Sequence, residues 1–87
     1  MDFGAFLLLQ SPQAKSSGEV LGRGTEIAQA ADELGYDSIW CDEHHFSTYG
    51  YLSRPLMYAV HLANNTKRIR VGSAVVVLPL HHPLIVA

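Results

Sequence analysis

Apolar residues in this chain come in short blocks separated by polar stretches, and the spacing inside each block differs. Phe3 to Leu9 is an apolar run without strict alternation, the pattern of a strand covered on both faces in a parallel sheet. Gln10 to Gly18 is rich in turn formers and lacks periodicity, so it reads as a loop. From Val20 onward, Gly24, Ile27, Ala28, Ala31 and Leu34 share one helical face, and Arg23, Glu26 and Glu33 lie largely away from it. Gly35 stands where a left-handed cap ends a helix, with Tyr36 placed to fold back on the last turn. Ser38-Ile39-Trp40-Cys41 reads as strand two, and the polar run Asp42-Glu43-His44-His45 leaves its end. An irregular stretch, Phe46 to Leu52, leads to a helix capped by Ser53 with Pro55 in its first turn. That helix runs to about Asn64 with Leu56, Ala59, Val60 and Ala63 as its buried face, and Lys67 and Arg68 suit its C-terminus. Strand three is expected over Ile69 to Val77, Leu78 to His82 leaves it, and Pro83 opens a third helix.

Strands beginning near Phe3, Ser38 and Ile69 recur at a spacing of roughly 30 residues or slightly more, that of successive βαβ units. Such units build either doubly wound sheets or (β/α)8 barrels. The turn after strand one lacks a glycine fingerprint; Gly22-Arg23-Gly24 is a lone G-x-G inside the expected helix and reads as close helix packing. No linker divides the chain, so residues 1–87 form one segment of a single domain. A complete barrel needs ~250 residues, and three strands alone leave apolar edges unpaired. The chain is therefore expected to be a piece of a longer barrel or to be completed by another chain.

Composition narrows the function classes. With 48% hydrophobic residues and a formal net charge of −2, the chain reads as globular α/β material and not as disorder, although three strands alone are not expected to fold stably. Its six Lys and Arg are scattered, with only Lys67, Arg68 and Arg70 clustered, so no basic stripe tracks a nucleic acid. The apolar runs fall far short of the ~20 residues of a membrane span, and Met1-Asp2-Phe3 has no basic region of a signal peptide. One cysteine, Cys41, excludes an internal disulfide and a four-cysteine zinc site, and cytoplasmic residence is the expectation.

In parallel α/β folds ligands meet the C-terminal ends of the strands, which here carry Gln10, then Asp42 to His45, then His81 and His82. His61 alone among the five histidines belongs to an expected helix and reads as structural. Imidazole exchanges protons near neutral pH, and a neighbouring carboxylate fixes its tautomer, so Glu43 and His44 are expected to pair. The same cluster also suits loop anchoring, and because adjacent residues face different ways, one histidine is expected to serve structure. A metal centre is the rival reading, but there is no H-x-H pair on strand one and no H-E-x-x-H helix, so none is assigned. Cys41, inside a short apolar strand, reads as an inert thiol. Phe46, Tyr49 and Tyr51 either wall a pocket for a flat cofactor or cover the core, and the small Ser73-Ala74-Val75 either lets a planar ring approach the backbone or packs the barrel.

Phe3-Gly4-Ala5-Phe6, Gly35-Tyr36-Asp37-Ser38-Ile39-Trp40, Glu43-His44-His45-Phe46 and Val71 to Pro79 with His82-Pro83 resemble bacterial luciferase and its relatives, in the family's order and close to its spacing. The resemblance covers nearly the whole chain. It implies a luciferase-like (β/α)8 TIM barrel, present here as an N-terminal segment of about three strands and two helices. It also implies a monooxygenase that takes reduced FMN from a separate flavin reductase and reacts it with O2, through a flavin C4a-hydroperoxide, to oxygenate a small organic substrate. By the same resemblance His44 is the catalytic donor or proton-transfer group, Glu43 lies near the flavin, and a non-prolyl cis peptide near Ala74-Val75 supports the ring. His45 is assigned to the subunit contact of a homo- or heterodimer. Two alternatives stay open: an F420-dependent oxidoreductase on the same barrel, and a non-catalytic flavin-binding or assembly subunit. Cys41, Asp42 and His81 are polar or reactive where luciferase itself is more apolar, so light emission is not expected.

Overall fold

The computed structural model describes residues 1–87 and contains three strands and three helices in strict alternation, with one 3-10 turn. Strands β1 (Gly4–Leu7), β2 (Ser38–Cys41) and β3 (Arg70–Ser73) form a parallel sheet in the order β1-β2-β3. Helix α1 (Ser17–Glu33) connects the first pair, α2 (Pro55–Asn65) the second, and the short α3 (Pro83–Val86) follows the 3-10 turn Leu78–Leu80. The register places Gly4, Ser38 and Arg70 side by side, and likewise Phe6, Trp40 and Gly72. No helix is long and apolar enough to cross a membrane.

Alternation along each strand sends the two sheet faces to different surroundings. Leu7, Ile39 and Cys41 are buried beneath α1 and α2, where they join Val20, Ala28, Ala31, Tyr58 and Leu62 in the core. The opposite face carries Phe6 and Trp40, both exposed. The Trp40 ring spreads over its two neighbouring strands: a Cβ on Gly72 would lie 2.6 Å from its Cζ3 and one on Gly4 would lie 3.2 Å from its Nε1. Glycine on both flanking strands is what lets the indole lie down.

Helix α1 starts with a capping box that the periodicity alone does not reveal. The Ser16 hydroxyl accepts from Glu19 N–H and the Glu19 carboxylate accepts from Ser16 N–H at 2.9 Å. Its end is the expected one: Gly35 has φ +88°, Gly35 N–H donates to Asp32 O, and Tyr36 N–H donates to Ala31 O. The buried stripe is Val20, Gly24, Ala28 and Ala31, whereas Ile27 and Leu34, expected on the same face, are exposed. Steps of four and three keep the small residues against the sheet and rotate Ile27 off it.

Helix α2 departs further from expectation. Arg54, not Ser53, is its N-cap, and no side chain caps it. Its buried residues are Pro55, Tyr58 and Leu62; the expected face, with Leu56, Ala59, Val60 and Ala63, instead lines an open groove of about 460 Å3 with Ile69 and Val71. The helix has two apolar stripes, and the stripe with Tyr58 makes the inner contact, where its hydroxyl donates to Leu21 O at 2.7 Å. Gly24 gives that ring room, since a Cβ there would overlap the Tyr58 hydroxyl, so the packing reading of Gly22-Arg23-Gly24 holds at Gly24. His61 is structural, stacked on Tyr58 and within 3.0 Å of Thr25 Oγ1. Lys67 and Arg68 lie past the last turn of α2. Their backbone N–H groups, with that of Ile69, donate to the Asp32 carboxylate, and the Arg68 guanidinium donates to Tyr36 O.

Strand β3 is shorter than its β-branched sequence suggests. Ala74 N–H still donates to Cys41 O at 2.8 Å, the Ala74-Val75 peptide bond is cis, and the chain then leaves the ladder. Val77 N–H goes to the Glu43 carboxylate and not to a neighbouring strand. The expected cis bond is thus present, and the strand ends at Ser73, short of the expected Val77, as the chain leaves the ladder after Ala74.

Candidate active site

Asp42 to His45 follow directly on β2, and side chains two apart pair with each other, as in strand alternation. Two carboxylate–imidazole pairs result. His44 Nδ1 lies 2.9 Å from Asp42 Oδ2, and His45 Nε2 lies 2.7 Å from Glu43 Oε1. The expected Glu43–His44 pair does not form, because adjacent residues on an extended backbone point apart. The division between an outward histidine and an anchoring one does hold: His44 is 39% exposed, and His45 is half as exposed at 19%.

Glu43 gathers the other strand end. Its side chain has no exposed surface, its Oε1 also accepts from His81 Nε2 at 2.7 Å, and its Oε2 accepts from Val77 N–H at 2.7 Å. Burial pushes this carboxyl up, but the bonds from His45, Val77 N–H and His81 outweigh burial and hold it below the usual carboxylate range. A buried carboxylate is tolerated when its lone pairs are taken up in this way. The tip of β2 is thereby bound to the segment after β3.

His44 sits in a frame built by the loop that follows it. Phe46, with φ +57°, reverses the chain directly after His45, and His44 N–H then donates to Leu52 O at 2.8 Å. Gly50 passes so close that a side chain there would overlap the His44 ring, and Tyr49 meets the imidazole edge-on with centroids 5.9 Å apart. The loop is also tied to the segment after β1 through Tyr51 N–H to Leu9 O and Ser11 N–H to Thr48 O. Asp42 is 1% exposed, and its Oδ1 is buried without a partner.

Some expected members stay outside. Gln10 is exposed and enters no side-chain bond, Phe46 is fully exposed, and His82 accepts from Leu84 N–H to cap α3. Tyr51 bonds to Ser17 Oγ at 2.8 Å, away from His44. Cys41 is fully buried; burial pushes its thiol up and Asp42 adds to this, which fits an inert residue. No group of three or more His, Cys, Asp or Glu has the arrangement of a metal site. Sequence reasoning missed the role of Gly50, whose only signal was a glycine in a polar, aromatic loop.

The model of the family described as luciferase-like monooxygenase matches residues 1–87, the whole chain. The chain belongs to this family. It is 40% identical over 84 residues to an alkanal monooxygenase alpha chain of Photorhabdus laumondii, covering 97% of this chain and 23% of that protein. It is 41% identical over 87 residues to a 4-hydroxyprotoasukamycin monooxygenase of Streptomyces nodosus, covering 100% and 24%. Among solved structures, apo-MsnO8 superposes with a TM-score of 0.90 at 31% identity, covering 99% of this chain and 26% of that one. The monooxygenase RslO1 of Streptomyces bottropensis gives 0.87 at 32%, covering 99% and 27%. The oxygenating constituent of a Pseudomonas putida Baeyer-Villiger monooxygenase, solved with FMN, shares the fold at a TM-score of 0.90 and 24% identity, covering 99% and 24%. The chain therefore spans about a quarter of the length of these relatives, and its three strands are the N-terminal part of a luciferase-like α/β barrel.

The residues present fit a flat, polar-edged cofactor. Beyond β3 the N–H groups of Val75 and Val76 have no acceptor within the chain, while their neighbours on either side, Ala74 and Val77, are fixed to Cys41 O and Glu43. A flat ring with acceptors along its edge would find two backbone donors here, between the fixed amides of Ala74 and Val77.

Proposed function

We propose that the full-length protein is a monooxygenase that uses reduced FMN and O2 to oxygenate a small organic substrate. The observation that carries this reading is the family match over all 87 residues, together with Glu43 binding the tips of β2 and β3 into one mouth beside an exposed His44. When bound, reduced flavin supplies the electrons that activate O2. The protein's own contribution is to seat the ring and to move a proton. Ala74 and Val75 offer backbone to the ring, and Glu43 acts from beneath as the anchor of that segment, its oxygens already engaged by His45, His81 and Val77. His44 is the proton-transfer group, since its Nε2 has no partner in the chain and its ring is held by Asp42, Tyr49 and Gly50.

Reduced flavin would come from a separate reductase in the cytoplasm, where a lone cysteine stays a thiol. The alpha-chain designation of the Photorhabdus relative supports pairing with a second subunit, of the same or a related chain. The test is 18O2 labelling with the full-length enzyme, supplied with FMNH2 and a panel of aliphatic aldehydes, cyclic ketones and terpenes. One labelled oxygen in a product, lost in His44→Ala, is expected. Turnover with reduced F420 and no labelled product, or an undiminished His44→Ala, would overturn the reading.

A further inference from the structure

We propose that Asp42 is the positioning residue for His44: it holds the imidazole with its proton on Nδ1 and leaves Nε2 bare toward the mouth. This rests on the reading of His44 as the proton-transfer group.

A carboxylate only accepts hydrogen bonds, so the 2.9 Å contact between Asp42 Oδ2 and His44 Nδ1 requires the ring proton to sit on Nδ1. The neutral ring then keeps its lone pair on Nε2, the atom with no partner in the chain, on a side chain that is 39% exposed. An acceptor at Nε2 takes one proton from a reacting group and returns it, with Nδ1–H unchanged throughout.

Asp42 is built for this single contact. It is 1% exposed, its Oδ1 is buried and unpartnered, and no backbone N–H or cation of the chain bonds to it. Burying a carboxylate with one oxygen unsatisfied costs free energy, and a purely structural position at the end of a core strand would be served by an apolar side chain. The oxygen that is engaged meets the histidine and nothing else. Tyr49 is the other titratable group against His44, edge-on to the ring, while Glu43, His45 and His81 form their own cluster on the opposite side of the strand. The ring cannot swing away from Asp42 freely, because Gly50 closes the space beside it. Sequence alone placed Glu43 in this role; the two-residue periodicity of the strand end gives it to Asp42.

The test is long-range 1H–15N NMR on full-length enzyme labelled at histidine, with His44 assigned by the signal missing in His44→Gln. In the wild-type protein the neutral ring is expected to carry hydrogen on Nδ1 and a bare Nε2. In Asp42→Leu it should shift to the Nε2–H form, and kcat should fall roughly 100-fold with KM changed less than about twofold. An Nε2–H ring in the wild type overturns the proposal without any variant, as does an unchanged tautomer in a folded Asp42→Leu protein. Undiminished turnover in His44→Gln would instead sink the catalytic reading of His44, leaving the tautomer measurement to decide the role of Asp42.

Discussion

Gly50→Ala is the smallest perturbation aimed at the candidate site. The added Cβ would fall inside contact distance of His44 Cγ, Cβ and Nδ1, whereas carbon atoms pack at about 3.5–4 Å. The ring, the loop or both must shift by an ångström or more. Gly50 has an ordinary φ, so no backbone strain adds to the effect, and the whole cost is steric. Overpacking of this kind costs about 1–3 kcal/mol. A displacement of ~1 Å at a catalytic group lowers turnover by roughly 100-fold. The 2.9 Å bond to Asp42 is the first contact to be lost. The assay is steady-state kinetics of the full-length enzyme with urea unfolding of the same samples, and Gly22→Ala as control, because a Cβ there meets nothing within 4 Å. A folded Gly50→Ala enzyme with wild-type turnover would refute the claim that this loop sets the position of His44.

Gly24→Ala should destabilise the enzyme by about 1–3 kcal/mol, because its Cβ would overlap the Tyr58 hydroxyl and lie 2.7 Å from Leu9 Cδ2, while Gly22→Ala in the same helix should stabilise it by up to about 1 kcal/mol. Equal denaturation midpoints for the two variants would contradict the packing described for α1 and α2. Glu43 is held below its ordinary carboxyl value of 4.5, so its contribution to stability is complete above that value and is lost as pH falls through the lower, folded one. As pH falls below 4.5 the urea midpoint of the wild type should therefore fall more steeply than that of Glu43→Gln; parallel slopes would count against the network. Cys41, buried and with its thiol pushed up, should react with a thiol reagent only as fast as the protein unfolds, and rapid labelling under native conditions would show the core placement to be wrong.

Element type was legible in this chain wherever one physical signal acted alone. Gly35 ends α1 as its position foretold, because the left-handed cap is a local requirement that no tertiary contact overrides. The alternation of strands and helices, and the placement of Asp42 to His45 and His81 at strand ends, followed from block spacing in the same way. What failed involved competition. Helix α2 offers two apolar stripes, and within this quarter of the barrel only the one with Tyr58 and Leu62 finds a covering element. Val75 to Val77 are strand formers by propensity, yet a carboxylate from another element claims the amide of Val77. At the site, the identities of Glu43, His44 and Asp42 were readable, but their pairing depended on which side of the strand each faces. The adjacency of Glu43 and His44 in sequence gave the wrong partner. Gly50 was out of reach because its importance lies wholly in a ring six residues earlier.

Handling of reduced flavin and oxygen by the intact enzyme is the most direct measurement. FMNH2 bound anaerobically to the full-length protein is mixed with O2 in a stopped-flow instrument, and the return of oxidised flavin absorbance is followed against free FMNH2. The return should be markedly slower on the enzyme than in solution, and His44→Ala should lose that delay. Identical time courses for bound and free flavin, or a delay that His44→Ala leaves intact, would contradict the assignment of this mouth to reduced FMN and of His44 to its chemistry.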